Sequence, residues 1–331
     1  FYCIVSRSFL NTFYFRSGKK CCCTFICEHG SLYGIVSSRI DENGFERKRN
    51  FMIQISNLSK KYGETVVFSD LNYTFENACI YGLVGRNGAG KTTTVRILTL
   101  LSKKNSGSVK ICGYDIEKDS ERIKELIGVV PQHMSLDQDL TGRENLVLQA
   151  RLHHLKNKAA MEQRIDEILD FVELADRADD SSRKYSGGMK RRLMIGMALL
   201  HKPKMLFLDE PTVGLDPQVR RKMWDLIRKM NEAGMTVLLT THYIEEADQL
   251  CRRVAIMNRG RIIAVDTPQK LKEKVGRVVV EHMGSDGMVN NFFDNREQAA
   301  SYVTGLESNA TVREANLEDV FIELTGRRVN D

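Results

Sequence analysis

The run Gly85-Arg86-Asn87-Gly88-Ala89-Gly90-Lys91-Thr92 constrains this 331-residue chain more than any other feature. It follows a short apolar stretch, Ile80-Tyr81-Gly82-Leu83-Val84, and opens a helical pattern from Lys91 to Leu101. A strand that feeds a helix through a glycine-rich turn belongs to an α/β fold. The glycines let the backbone curl until consecutive N–H groups face one point, and the helix N-terminus adds positive potential there. Lys91 supplies a point charge for β and γ phosphates, and the Thr92 hydroxyl can ligate Mg²⁺. Arg86, Asn87, Ala89 and Thr93 complete the loop and its first helical turn. A turn that merely caps a helix is the alternative, and the flanking strand and helix weigh against it. The pattern implies a nucleoside triphosphate ligand.

Further along, Leu206-Phe207-Leu208-Asp209-Glu210 reads as a buried strand ending in two carboxylates. An Asp-Glu pair is usually solvated surface, but beside a phosphate loop it gains meaning. Asp209 is placed to hold Mg²⁺ through water, and Glu210 to orient or deprotonate an attacking water. Gln132 lies 41 positions after Lys91, at the end of a short strand, and could contact Mg²⁺ or that water. Ser186-Gly187-Gly188 precedes a helix 95 positions after Lys91 and makes a second anion-seeking helix end. His242 follows the strand Val237–Thr240, 32 residues after Glu210. A histidine there is often structural; its donor could instead reach a γ-phosphate.

The surrounding text is regular from Met52 onward. Residues 52–57 and 70–76 alternate as antiparallel strands do. Thr141-Gly142-Arg143-Glu144 is a capping box that opens a mostly helical region over about 141–183. Ala255–Val265 reads as a hairpin around Asn258-Arg259-Gly260. The tail from about 266 to 331 reads as a separate small unit. Thr267-Pro268 starts a helix there, Val278–Val280 is strand-like, and Asn316 caps a last helix closed by Gly326.

The first 51 residues differ. They hold none of the 13 Met residues and five of the eight Cys, and show no sustained hydrophobic period. They are expected to be a poorly ordered or non-native leader. A metal site from Cys21, Cys22, Cys23 and His29 is disfavoured, because three adjacent thiols cannot converge comfortably on one ion. The scattered Cys79, Cys112 and Cys251 fit reduced thiols. The formal charge of +6 does not mark a nucleic-acid partner. Eight Lys/Arg against four Asp/Glu in residues 1–51 give +4, which leaves +2 for the other 280 residues. A nucleic-acid footprint is a concentrated basic face. The cluster Lys190-Arg191-Arg192 is expected to be solvated helix surface. No apolar run reaches the roughly 18 residues of a membrane-spanning helix.

These motifs together resemble the ATP-binding cassette (ABC) family over about 52–265. Gly85–Thr92 looks like its Walker A, Gln132 its Q-loop, and Tyr185-Ser186-Gly187-Gly188-Met189 its signature. Leu206–Glu210 matches its Walker B, Gly214-Leu215-Asp216 its D-loop, and Thr240-Thr241-His242 its H-loop. Tyr62 fits the aromatic that stacks on adenine. The signature departs from the commonest form at Tyr185 and Met189, which stand for Leu and Gln. The Tyr185–Arg192 variant and the tail Ala315–Gly326 resemble the daunorubicin-resistance exporter ATPases.

The resemblance implies a P-loop NTPase fold of ABC type: a mixed sheet core, an antiparallel β subdomain and a helical subdomain, here with a small C-terminal α/β appendage. It implies ATP and Mg²⁺ as ligands, with Thr92, Gln132 and Asp209 toward the metal. Ser186, Gly187, Gly188 and Asp216 would act toward ATP across a dimer with a second ABC ATPase subunit, expected to be another copy of the chain. Membrane-spanning permease subunits would hold the pair on the cytoplasmic face of a membrane. Competing readings fare worse. A DNA-repair cassette needs a long coiled-coil insertion between Lys91 and Ser186, a ribosome-acting one normally carries two cassettes, and a P-loop kinase lacks the signature and His242.

Overall fold

The computed structural model describes residues 11–14, 21–28, 31–39, 51–284, 287–306 and 309–326. They divide into two units, Phe1–Asn50 and Phe51–Asp331. In the first, β1 (Asn11–Tyr14), β2 (Cys21–Glu28) and β3 (Ser31–Arg39) form an antiparallel sheet in the order β1-β2-β3. These runs lack a two-residue period, so nothing in their patterning marks them as strands, although they are rich in strand-forming residues. His29 and the thiols of the cysteine cluster lie outside the described residues.

The second unit opens with β4 (Phe51–Tyr62) and β5 (Thr65–Glu76), followed by β6 (Ile80–Gly85) and α1 (Lys91–Leu98). Then come β7 (Ser106–Ile111), β8 (Tyr114–Asp115), α2 (Ser120–Leu126) and β9 (Ile127–Val130). The helical stretch contains α3 (Gly142–Leu152), α4 (Lys158–Phe171), two 3₁₀ turns and α5 (Gly187–Leu199). After it follow β10 (Met205–Asp209), α6 (Pro217–Glu232), β11 (Thr236–Thr241), α7 (Ile244–Leu250), β12 (Arg253–Asn258) and β13 (Arg261–Asp266).

The central sheet has six strands in the order β13-β12-β6-β11-β10-β9, all parallel except the β12–β13 hairpin. Its parallel strands are buried on both faces, which is why they read as continuous apolar runs. Alternate residues divide between two cores. Ile80, Val84, Leu206, Leu208, Val237 and Leu239 face one. Tyr81, Leu83, Met205, Phe207 and Leu238 face the other. The first core is filled by α3–α7. The second is closed by α1, α2 and the antiparallel sheet β5-β4-β7-β8. Every loop that leaves the carboxyl end of a parallel strand therefore opens on one edge, where α/β sheets bind ligands.

The helical stretch starts as its sequence dictates. Thr141 Oγ1 accepts from Glu144 N at 3.1 Å, and Glu144 Oε2 accepts from Thr141 N at 2.8 Å. The tail adds α8 (Pro268–Glu273), β14 (Val278–Gly284), β15 (Gly287–Phe293), α9 (Arg296–Thr304), β16 (Ala310–Glu314) and α10 (Leu317–Thr325). Its sheet runs β15-β14-β16. Asn316 caps α10 with a capping box and Gly326 ends it in the left-handed conformation. The tail has little core of its own, built on Val278, Val280 and Ala299. Leu271 of α8 and Leu317, Val320 and Phe321 of α10 instead join the core of the central sheet. The tail is thus packed into the main body rather than set apart, because the apolar face of α10 needs a larger partner than one three-stranded sheet.

Candidate functional site

β6 delivers the glycine-rich turn to the carboxyl edge of the sheet. Gly90 sits at φ 107°, and a Cβ there would meet Met257 Cε at 2.8 Å and Phe68 Cδ1 at 3.2 Å. Only glycine lets the loop lie this close to β12 and β5. Lys91, 6% exposed, folds back so that its ammonium donates to Gly85 O at 2.6 Å and Arg86 O at 3.2 Å. Burial pulls its pKa down, opposed by Glu210 and Asp209. A buried cation held by loop carbonyls is poised to exchange them for phosphate oxygens, a far better counter-charge. Thr92 and Thr93 stand half-buried in the first turn of α1, while Asn87 and Gly88 are exposed at the loop tip.

One strand separates β6 from β10, and that strand, β11, organises the carboxylates. Thr240 Oγ1 donates to Asp209 Oδ1 at 2.5 Å. Glu210 N donates to Thr240 O and Oγ1, each at 3.1 Å. Glu210 holds φ 50°, the left-handed region that costs a non-glycine residue on the order of 1–3 kcal/mol. Its carboxylate is 4.0 Å from Lys91 Nζ through Oε1 and 2.8 Å from His242 Nδ1 through Oε2. His242 N also donates to Oε2 at 3.3 Å. Nδ1 faces Glu210, which leaves Nε2 on the far side of the ring for other partners. Lys91, the Asp209–Glu210 pair and His242, read from three separate stretches of sequence, therefore meet at one place.

Other expected residues stand away from this cluster. Tyr62, 48% exposed, ends β4 with Lys60 Nζ 4.5 Å from its ring centroid and its hydroxyl 3.4 Å from Ser102 Oγ. Ser186 and Gly187 are exposed at the start of α5, where Ser186 Oγ accepts from Met189 N at 3.2 Å. Gly188 is buried against Val219. Asp216 caps α6 by accepting from Gln218 N and Val219 N. Among the described residues, no hydrogen bond or ion pair joins Ser186 or Asp216 to Lys91, Glu210 or His242. Gln132 has an exposed side chain, and only its carbonyl is held.

The holder is Arg191, which the sequence reading placed on a solvated helix surface. It is 2% exposed. Its guanidinium donates to Pro131 O at 2.7 Å, Gln132 O at 3.0 Å and Glu210 O at 3.3 Å. Arg192 is also engaged, on Val172 O and Glu173. A charge run in a helix gives no sign of which member turns inward; Arg191 shares a face with the buried Gly188, three residues earlier.

Tyr185 explains its own departure from the common signature. Its hydroxyl donates to Arg177 O at 2.5 Å and occupies the space beside Gly142, where a Cβ would lie 2.3 Å from it. The ring thereby fastens the start of α5 to the helical stretch. Tyr185→Phe should lower stability by about 1–2 kcal/mol, since Arg177 O loses its buried donor. Calorimetry should show a Tm lower by a few degrees with unchanged ATP affinity, and an unaltered Tm would contradict the role.

The fold and the cluster define a phosphate-loop nucleoside triphosphatase. A family model described as "ABC transporter" matches residues 68–213. The chain is 35% identical over 312 residues to the linearmycin resistance ATP-binding protein LnrL of Bacillus subtilis, covering 85% of this chain and all of that protein. It is 37% identical over 310 residues to the daunorubicin resistance ATP-binding protein DrrA3 of Streptomyces coeruleorubidus, covering 84% and 98%. It is 38% identical over 300 residues to the Nod factor export ATP-binding protein I of Burkholderia lata, again covering 84% and 98%. A solved ATP-binding subunit of an ABC transporter superposes with a TM-score of 0.63 at 26% identity, covering 83% of this chain and 99% of that one. The chain belongs to the ABC transporter ATP-binding family and is an ATPase.

Proposed function

We propose that this chain powers an ABC exporter, working as an ATP-clamped dimer docked on membrane-spanning permease subunits at the cytoplasmic face. The observation that carries the catalytic part is the Glu210 carboxylate, held between His242 and Lys91 at the end of β10. Lys91 and the loop amides bind the β and γ phosphates. Glu210 accepts a proton from the attacking water. His242, fixed by Glu210, orients the γ-phosphate from the other side.

The residues fit a hard divalent cation, which takes oxygen donors. Among the described residues, the Thr92 hydroxyl has no hydrogen bond and Asp209 uses only Oδ1. Thr92, Asp209 and the exposed Gln132 side chain would hold Mg²⁺, which when bound neutralises phosphate charge. Tyr62 stacks on the adenine ring.

The exporter reading rests on likeness along nearly full length to LnrL, DrrA3 and the Nod factor export protein. No helix among the described residues is long and apolar enough to cross a membrane, so cargo movement needs a partner. Mild detergent extraction of the host, followed by affinity isolation of the chain, tests this. A membrane-spanning polypeptide recovered in equal amount, with ATPase activity raised by its presence, is the expected result. Recovery only with soluble partners would move the reading to a cassette ATPase outside transport.

A further inference from the structure

Three stretches that the catalytic reading treats separately converge on one buried guanidinium. Arg191 lies one turn inside α5, the helix that begins at Ser186. β9 and β10 are paired through Val130 and Leu208, and both chains leave the sheet just beyond. Strand partners no longer satisfy the carbonyls of Pro131, Gln132 and Glu210 there. Arg191 donates to all three. A planar fork suits this task, because one side chain must reach carbonyls on two diverging strands at fixed angles. Its charge is offset by the neighbouring Asp209, Glu246 and Glu210, while its Nε has no partner.

Glu210 makes this more than a cap on two strand ends. Its left-handed backbone persists only where the surroundings hold it. The peptide on its amino side is pinned by Thr240 of β11, and its own carbonyl accepts from Arg191 at 3.3 Å and, at 3.4 Å, from Val213 N in the turn that follows. The carboxylate direction follows from that backbone, so a loosened carbonyl frees the side chain to turn. The same guanidinium holds the backbone of Gln132, whose side chain is exposed.

We propose that Arg191 is a positioning residue that fixes Glu210 in its productive conformation from the same guanidinium that holds the Gln132 backbone. The proposal rests on the reading of Glu210 as the group that activates water.

The test uses the full chain with Arg191→Met, which keeps the apolar stem, and Arg191→Lys, which keeps the charge and loses the fork. Turnover and equilibrium ATP binding are measured for each. Arg191→Met should reduce kcat by about 10–100-fold, the scale of a small misplacement of a reacting group. ATP affinity should stay within about threefold, since Lys91 and Tyr62 are untouched. Arg191→Lys should fall between it and the parent. Adding Arg191→Met to Glu210→Gln should slow turnover no further, because a residue acting through Glu210 has nothing left to position.

Normal turnover in the Met variant, equal losses of kcat and ATP affinity, or multiplicative losses in the double variant would each overturn the proposal. So would failure of both single variants to fold, which would assign Arg191 to stability. Near-normal turnover of Glu210→Gln alone would instead refute the underlying assignment of the base.

Discussion

Glu210→Gln should lower Mg-ATP turnover by about 10²–10⁴-fold while leaving ATP affinity nearly unchanged, the expected signature of a lost general base. The substitution keeps the shape and the acceptor toward His242 Nδ1, now 2.8 Å away, and removes only the basicity. The left-handed backbone and its bonds to Thr240 and Arg191 involve main-chain atoms, so the variant should fold as the parent does. Lys91→Ala acts on the other term. It removes the buried ammonium that exchanges the Gly85 and Arg86 carbonyls for phosphate, so nucleotide binding itself weakens. Phosphate release measured beside equilibrium ATP binding separates the two. A Gln variant with near-normal turnover would move the base to another residue.

The second large effect is on assembly. Ser186 and the exposed start of α5 have no contact with the Lys91–Glu210–His242 cluster among the described residues. In the proposed dimer each of the two helix ends would meet the γ-phosphate bound by the other subunit, head to tail. A ligand shared across an interface stabilises that interface in proportion to its own binding. Glu210→Gln with Mg-ATP should therefore be mostly dimeric by light scattering, and the ADP form mostly monomeric. Adding Ser186→Arg should abolish the dimer, because the guanidinium stem fills the space meant for phosphate oxygens. ATP binding to each monomer through Tyr62 and Lys91 should persist. A double variant that still dimerises on ATP sinks the shared-site reading.

Much of this site was legible because its chemistry sits where regular elements end. β6, β10 and β11 announce themselves as short apolar runs, being buried on both faces; Asp209 ends β10, Glu210 and His242 follow β10 and β11 directly, and Lys91 closes the turn after β6. Capping residues are equally local: Thr141, Thr267 and Asn316 bond within three residues of themselves. What failed was information carried between distant segments. Arg191 shares a run with two other cations, and only the packing of α5 against β9 and β10 turns it inward. The extent of β4 and β5 was missed because register shifts between Ile55 and Tyr62 break the alternation. The apolar face of α10 was visible, yet nothing in it says which core receives it.

That receiving core has a practical meaning. α10 rests on α7, and α7 begins two residues after His242. A chain cut at residue 316 would retain the Lys91–Glu210–His242 cluster and still leave α7 without the helix packed on it. Domain exchange between relatives that respects only the nucleotide motifs would therefore leave His242 two residues ahead of a helix stripped of its backing. A module that keeps this helix and its cap runs through Gly326.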